Sequence, residues 1–153
     1  MREPRTSIAG LILNHKMHGS RVAFMPADVD RRFAADNLPD HGNLLANLVR
    51  WAVGERSPLR VEGPGTIDCH LYRQETRLIL HLVNLTGAAG ARGPVEELIP
   101  VGPLKVQVTL PPELKHKYVR LLVAGRQITG SFHAGQLLVT LASLLDHEVI
   151  VIG

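Results

Sequence analysis

A single cysteine, Cys69, among 153 residues excludes an internal disulfide and any zinc site built on several thiolates. Aromatic residues make up only 4% of the chain, and the one tryptophan, Trp51, lies in the first half. The second half has only Tyr72, Tyr118 and Phe132, poor material for a face that stacks on flat sugar rings. No run of five or more like charges occurs, and 17 basic residues against 14 acidic ones leave a net charge of +3. That pattern gives no nucleic-acid arm and only a weak pointer to an anionic partner. The apolar stretch after "MREPRTSIAG" is broken at Asn14, His15 and Lys16, so neither a signal peptide nor a membrane span is expected, and the chain reads as cytoplasmic.

What is present is an apolar content of 45%, enough to build a core, arranged with two different periods. "SIAGLILN" and "RVAFMP" read as two strands of a β-hairpin with Gly19 near the bend. A loop then leads to "LPDHG", where Pro39 stops regular structure and Asp40 suits a helix N-cap. From His41 to Val53 the spacing predicts one helix, with Leu44, Leu48, Trp51 and Ala52 on one stripe and Leu45, Val49 and Val53 beside it. Asn43, Asn47 and Arg50 are its only polar strip, so the helix needs cover on two sides. One hairpin and one helix cannot supply that cover, and residues 1–56 therefore read as the truncated end of a larger α/β domain.

After the "GERSP" linker the period becomes two. Ile67, Cys69 and Leu71 alternate with Asp68, His70 and Tyr72; Leu78, Leu80 and Leu82 with Ile79, His81 and Val83; Leu104, Val106, Val108 and Leu110 with Lys105, Gln107 and Thr109. With "YVRLLVA", "GQLLVTL" and "HEVIVI" this makes about seven strands, and residues 57–153 read as an antiparallel β-sandwich domain. The fold class is mainly β, with a small α/β piece in front, and the sandwich is expected to fold without the first half.

The order "GSRVAFMPADVDRRF", "LPDHGNLLANLVRWAVG", "VEGPGTIDCHLYRQETRLILHLVNLTG", "PVEELIPVGPLKVQVTLP" and "HEVIVIG" resembles the C-terminal end of bacterial glycoside hydrolases of the β-galactosidase trimerisation-domain type. The resemblance runs from about Gly19 onward. It implies a catalytic barrel, then a flavodoxin-like, glutamine-amidotransferase-like domain without amidotransferase activity, then a small β-sandwich. It also implies that the first half is a remnant of the middle domain, which is the oligomerising one. The catalytic carboxylates of such enzymes belong to the barrel, so none maps onto this chain and no catalytic residue is expected in it.

Among individual residues, Asp28 and Asp30 follow an apolar strand, the place where α/β enzymes hold a metal or move a proton. The preferred reading is that they organise the turn, with Arg31 and Arg32 nearby to neutralise them. His15 with His18, and His116 alone, lack metal-ligand spacing; His70 and His81 fall on outward or sheet-facing strand positions, and His41 reads as structural. Trp51 on the apolar stripe reads as a core or interface residue, and Cys69 as a small inward hydrophobe. The glycine turns at Gly63–Gly65 and Gly87–Gly93 are not followed by helices and so do not resemble phosphate loops.

No metal or cofactor is expected. The leading expectation is a non-catalytic accessory region whose flank of Leu45, Val49 and Val53 meets a second copy or a glycosidase barrel domain. The alternative is a small carbohydrate-binding sandwich using Arg73, His70 and Asn84. A hydrolase using Asp28 and Asp30 ranks last, because nothing beside them supplies a base, nucleophile or metal set.

Overall fold

The computed structural model describes residues 7–15, 19–54, 57–87, 97–114 and 118–153. Of the features read from the sequence, His18, His116, the centre of the "GERSP" linker and most of the Gly87–Gly93 turn lie outside the described residues. The chain separates into two compact units, Met1–Ser57 and Pro58–Gly153.

In the first unit, β1 (Ile12–His15) and β2 (Arg21–Phe24) form an antiparallel pair, with Ile12 opposite Phe24 and His15 opposite Arg21. Two helices follow instead of the expected one. The stretch read as a loop contains α1 (Val29–Asp36), ahead of α2 (Pro39–Val53). Helix α1 escaped the periodicity because its only large apolar residues, Val29 and Phe33, are a single i,i+4 pair. Around them are charges that pair along the helix, Arg31 with Asp28 and Arg32 with Asp36, each at 3.5 Å. Asn37, in the left-handed region at φ 49°, ends α1 and donates its N–H to the Phe33 carbonyl.

Pro39 opens α2 rather than stopping structure, because the first helical turn needs no amide donor there. Asp40 consequently sits inside the first turn, where its charge suits the helix dipole, and extended Leu38 takes the cap position. The two helices touch where Phe33 lies on Gly42; a Cβ at Gly42 would fall 2.7 Å from the phenyl ring, so any larger residue would push the helices apart.

The second unit is a β-sandwich. Its described strands are β3 (Leu59–Glu62), β4 (Ile67–Gln74), β5 (Arg77–Asn84), β6 (Leu104–Thr109), β7 (Val119–Leu121), β8 (Arg126–Ile128), β9 (Ser131–His133), β10 (Gln136–Leu141) and β11 (His147–Ile152). One sheet has the order β3-β6-β10-β9 and the other β4-β5-β11-β7-β8. These nine described strands exceed the expected seven because β8 and β9, three residues each, are too short to display an alternation. All pairings within both sheets are antiparallel.

Alternation sets the core. Leu80 and Leu82 of β5, Leu104, Val106 and Val108 of β6, Leu137 of β10, Val119 of β7, and Ile150 and Ile152 of β11 are fully buried. Ile67, Cys69 and Leu71 of β4 pack against this cluster from the edge of their sheet. Each fully buried aliphatic side chain contributes on the order of 1.5–3 kcal/mol of transfer free energy.

Among the described residues of this unit two polar side chains are also buried. The Asn84 amide donates to the carbonyls of Ile99 (2.7 Å), Leu144 (3.3 Å) and Leu145 (2.8 Å), and its oxygen accepts the Thr86 N–H at 3.0 Å. The Glu148 carboxylate accepts the N–H groups of Val123 (2.8 Å), Ala124 (3.1 Å) and Val149 (2.9 Å), which fixes the turn between β7 and β8. Both groups are satisfied by backbone, as burial requires.

Candidate functional site

Asp28 occupies the cap position of α1, but its side chain caps no backbone N–H. Its carboxylate faces Arg31, with the aspartate side chain 63% and the arginine side chain 82% exposed. Asp30 lies in the first turn of α1 and is exposed. Among the described residues no group of three His, Cys, Asp or Glu side chains comes together in a metal-binding set. Two exposed carboxylates, one of them in a surface ion pair, have little chemistry available to them alone.

Trp51 is half-buried and engaged from one side: Arg21 Nη1 donates to its carbonyl at 3.0 Å and the guanidinium lies 5.9 Å from the ring centroid. Leu45 is half-buried on the same helix, whereas Val49 and Val53 are 62% and 48% exposed. His41 Nδ1 is buried without a hydrogen-bond partner.

In the sandwich, the three residues considered for a sugar are not a common set. Asn84 is withdrawn from any ligand by its four backbone hydrogen bonds, which corrects that assignment; a strand-end asparagine looks polar and available in sequence but plugs the core here. Arg73 faces Glu113 at 3.4 Å. His70 is exposed, with Nε2 3.0 Å from Asp68 Oδ2. Its ring stacks on Tyr72 at 6.3 Å, and Tyr72 meets His81 edge-on at 5.7 Å. Cys69 points the other way, and burial, with help from the Asp68 charge, pushes its thiol above the ordinary value of 9.0.

The sequence reading missed two features. Glu148 reads as an ordinary charge in "HEVIVI", and only its parity with Ile150 and Ile152 could have placed it inward. The other is a shallow depression of about 400 Å³ on the outer face of the five-stranded sheet, between the ends of β5 and β7. Its residues come from strands distant in sequence, so only the register brings them together.

No protein-family model matches the chain, and no curated protein matches it by sequence. Among solved structures the chain is similar to alpha-L-fucosidase isoenzyme 2 from Paenibacillus thiaminolyticus, with a TM-score of 0.67 and 22% identity over 85% of this chain and 20% of that one. The chain thus spans about a fifth of the length of that protein. At this identity the likeness establishes a shared fold. Because Pro58–Gly153 makes up less than two thirds of the chain, a match over 85% also takes in residues of the hairpin and helix unit.

Proposed function

We propose that these residues are a non-catalytic accessory region of a glycoside-hydrolase-like protein, in which the hairpin and helices serve for assembly and the sandwich closes the domain order. The observation that carries this reading is the fold match, which takes in residues of both units but only a fifth of an alpha-L-fucosidase chain. A (β/α)-barrel needs about 200 residues or more, so 153 residues of this composition do not hold one as well as a sandwich. Carboxylates that cleave a glycosidic bond would come from elsewhere.

The assembly part rests on burial. Among its described residues the first unit buries none, while Phe24, Val49 and Val53 are 57%, 62% and 48% exposed. Apolar surface on so small a unit is stabilised by a second copy or by a neighbouring catalytic domain. Two measurements test the reading. The purified chain is expected to turn over no aryl glycoside, the α-L-fucoside included; turnover lost in both Asp28→Asn and Asp30→Asn would contradict it. Light scattering is expected to find the chain associated, and a monomer at high concentration would remove the assembly role.

A further inference from the structure

The depression on the outer face of the five-stranded sheet has a floor and a rim of different chemistry. The register sets Ile79 beside Val151 and Val151 beside Arg120, with Gln127 beyond. Val151 is buried although it points away from the core, so its neighbours enclose the floor. One level further along, Gly153 and Tyr118 exchange backbone hydrogen bonds at 2.7 and 3.2 Å. A Cβ on Gly153 would fall 2.6 Å from the Tyr118 ring, so the ring lies down over the glycine and its edge joins the wall.

The rim is basic. Arg77 and Arg120 both line it, no carboxylate does, and neither arginine has an ion-pair partner among the described residues. Arg77 Nε donates to the Gln74 side chain at 3.0 Å, which holds the guanidinium on the strand end. Elsewhere on this unit Arg60 faces Glu62 and Arg73 faces Glu113, while Arg126 of β8, like Arg77 and Arg120, has no ion pair among the described residues. Two uncompensated guanidinium forks beside an apolar floor match a ligand that carries a carboxylate on a ring with an apolar face. The Gln74 and Gln127 amides supply the neutral donors and acceptors that ring hydroxyls need.

We propose that this depression binds a saccharide bearing a carboxylate, such as a hexuronate residue, with Arg77 and Arg120 holding the carboxylate and the Ile79–Val151 floor meeting the ring. The choice of a saccharide over another carboxylate rests on the glycoside-hydrolase reading; the anionic specificity rests on the arginines alone.

Amide spectra of the ¹⁵N-labelled chain, titrated with cellobiouronic acid and with neutral cellobiose, test it. Saturable shifts are expected at Gln74, Arg77, Arg120 and Gln127 with the acidic sugar, and binding of cellobiose at least about tenfold weaker. Arg120→Gln and Arg77→Gln should each weaken binding by about tenfold, while Lys105→Gln on the opposite sheet should leave it unchanged. Thermal melts of all three should match the parent, since each side chain is exposed. No saturable shift up to about 10 mM, an equal response to cellobiose, or no effect of either arginine variant overturns the site. Tetraglutamate binding as tightly as the acidic sugar overturns its assignment to a saccharide. Light scattering on the same samples reports on assembly separately, so a chain that associates but ignores the sugar overturns this site and leaves the accessory reading standing.

Discussion

The two units share a chain but not a way of being stable. Among its described residues the sandwich has sixteen buried apolar side chains, nine of them fully enclosed, whereas the described part of the hairpin and helix unit has none. Its helices are well formed locally, with a proline start, a left-handed asparagine stop and a glycine end, yet α2 keeps a half-buried face and an exposed one. Local signals suffice to shape a helix, and burial decides whether a unit stands alone. The sandwich satisfies both conditions; the described part of the first unit satisfies the first, and its reliance on a partner surface for the second is the proposal to be tested.

The contrast can be broken most sharply by cutting side chains from each unit. Leu80→Ala, at a fully buried site between the sheets, is expected to cost about 2–5 kcal/mol in urea unfolding, while Leu48→Ala on half-buried α2 should cost well under half of that. Equal losses would mean that the first unit has a core of its own. A second large effect concerns the buried carboxylate: Glu148→Ala strips three backbone N–H groups of their acceptor and should destabilise by about 2–3 kcal/mol. Hydrogen exchange at Val123 and Ala124 should quicken with it, and unchanged protection there would remove Glu148 from its role.

Val49→Lys sharpens the other side. At a 62% exposed position it should shift unfolding by no more than about 0.5 kcal/mol, yet weaken self-association by about 2 kcal/mol or more if α2 is a contact. A variant that associates like the parent would move the contact off this helix.

The smallest effect is at Cys69. Burial raises its thiol pKa, so the folded state holds the proton more tightly than the unfolded state. The resulting stability is fully present below the ordinary value of 9.0 and is lost as pH rises through the higher folded value. Cys69→Ala should therefore flatten the decline in stability above that pH, and native Cys69 should react with a thiol reagent more slowly than in denaturant. An alkylation rate that denaturant leaves unchanged would contradict its burial.

How much of this was legible in the sequence follows the period of each segment. The alternation of Leu78, Leu80 and Leu82 with Ile79, His81 and Val83 gave β5 its correct inner face, because one strand of eight residues repeats the pattern several times. Helix α1 has one apolar pair in eight residues, so nothing distinguished it from a loop until Phe33 met Gly42. Asn84 and the Arg77–Arg120 depression were beyond reach for another reason. Whether a polar residue at a strand end plugs a core or faces a ligand depends on which segments cross it, and the partners here lie 15 and 60 residues away. Asp28 and Asp30 were read as organisers of a turn, but they stand at the head of α1, where Asp28 caps no backbone N–H and faces Arg31 instead, a placement that depends on a helix the periodicity did not display.

Amide hydrogen exchange on the whole chain, at a concentration where light scattering finds it monomeric, tests the central contrast most directly. Slowly exchanging amides are expected only within Pro58–Gly153, concentrated in β5, β6, β10 and β11, with α1 and α2 exchanging far faster despite their intact helical hydrogen bonds. Protection in α2 equal to that of β5 would contradict the account, because it would show the first unit held by a core of its own.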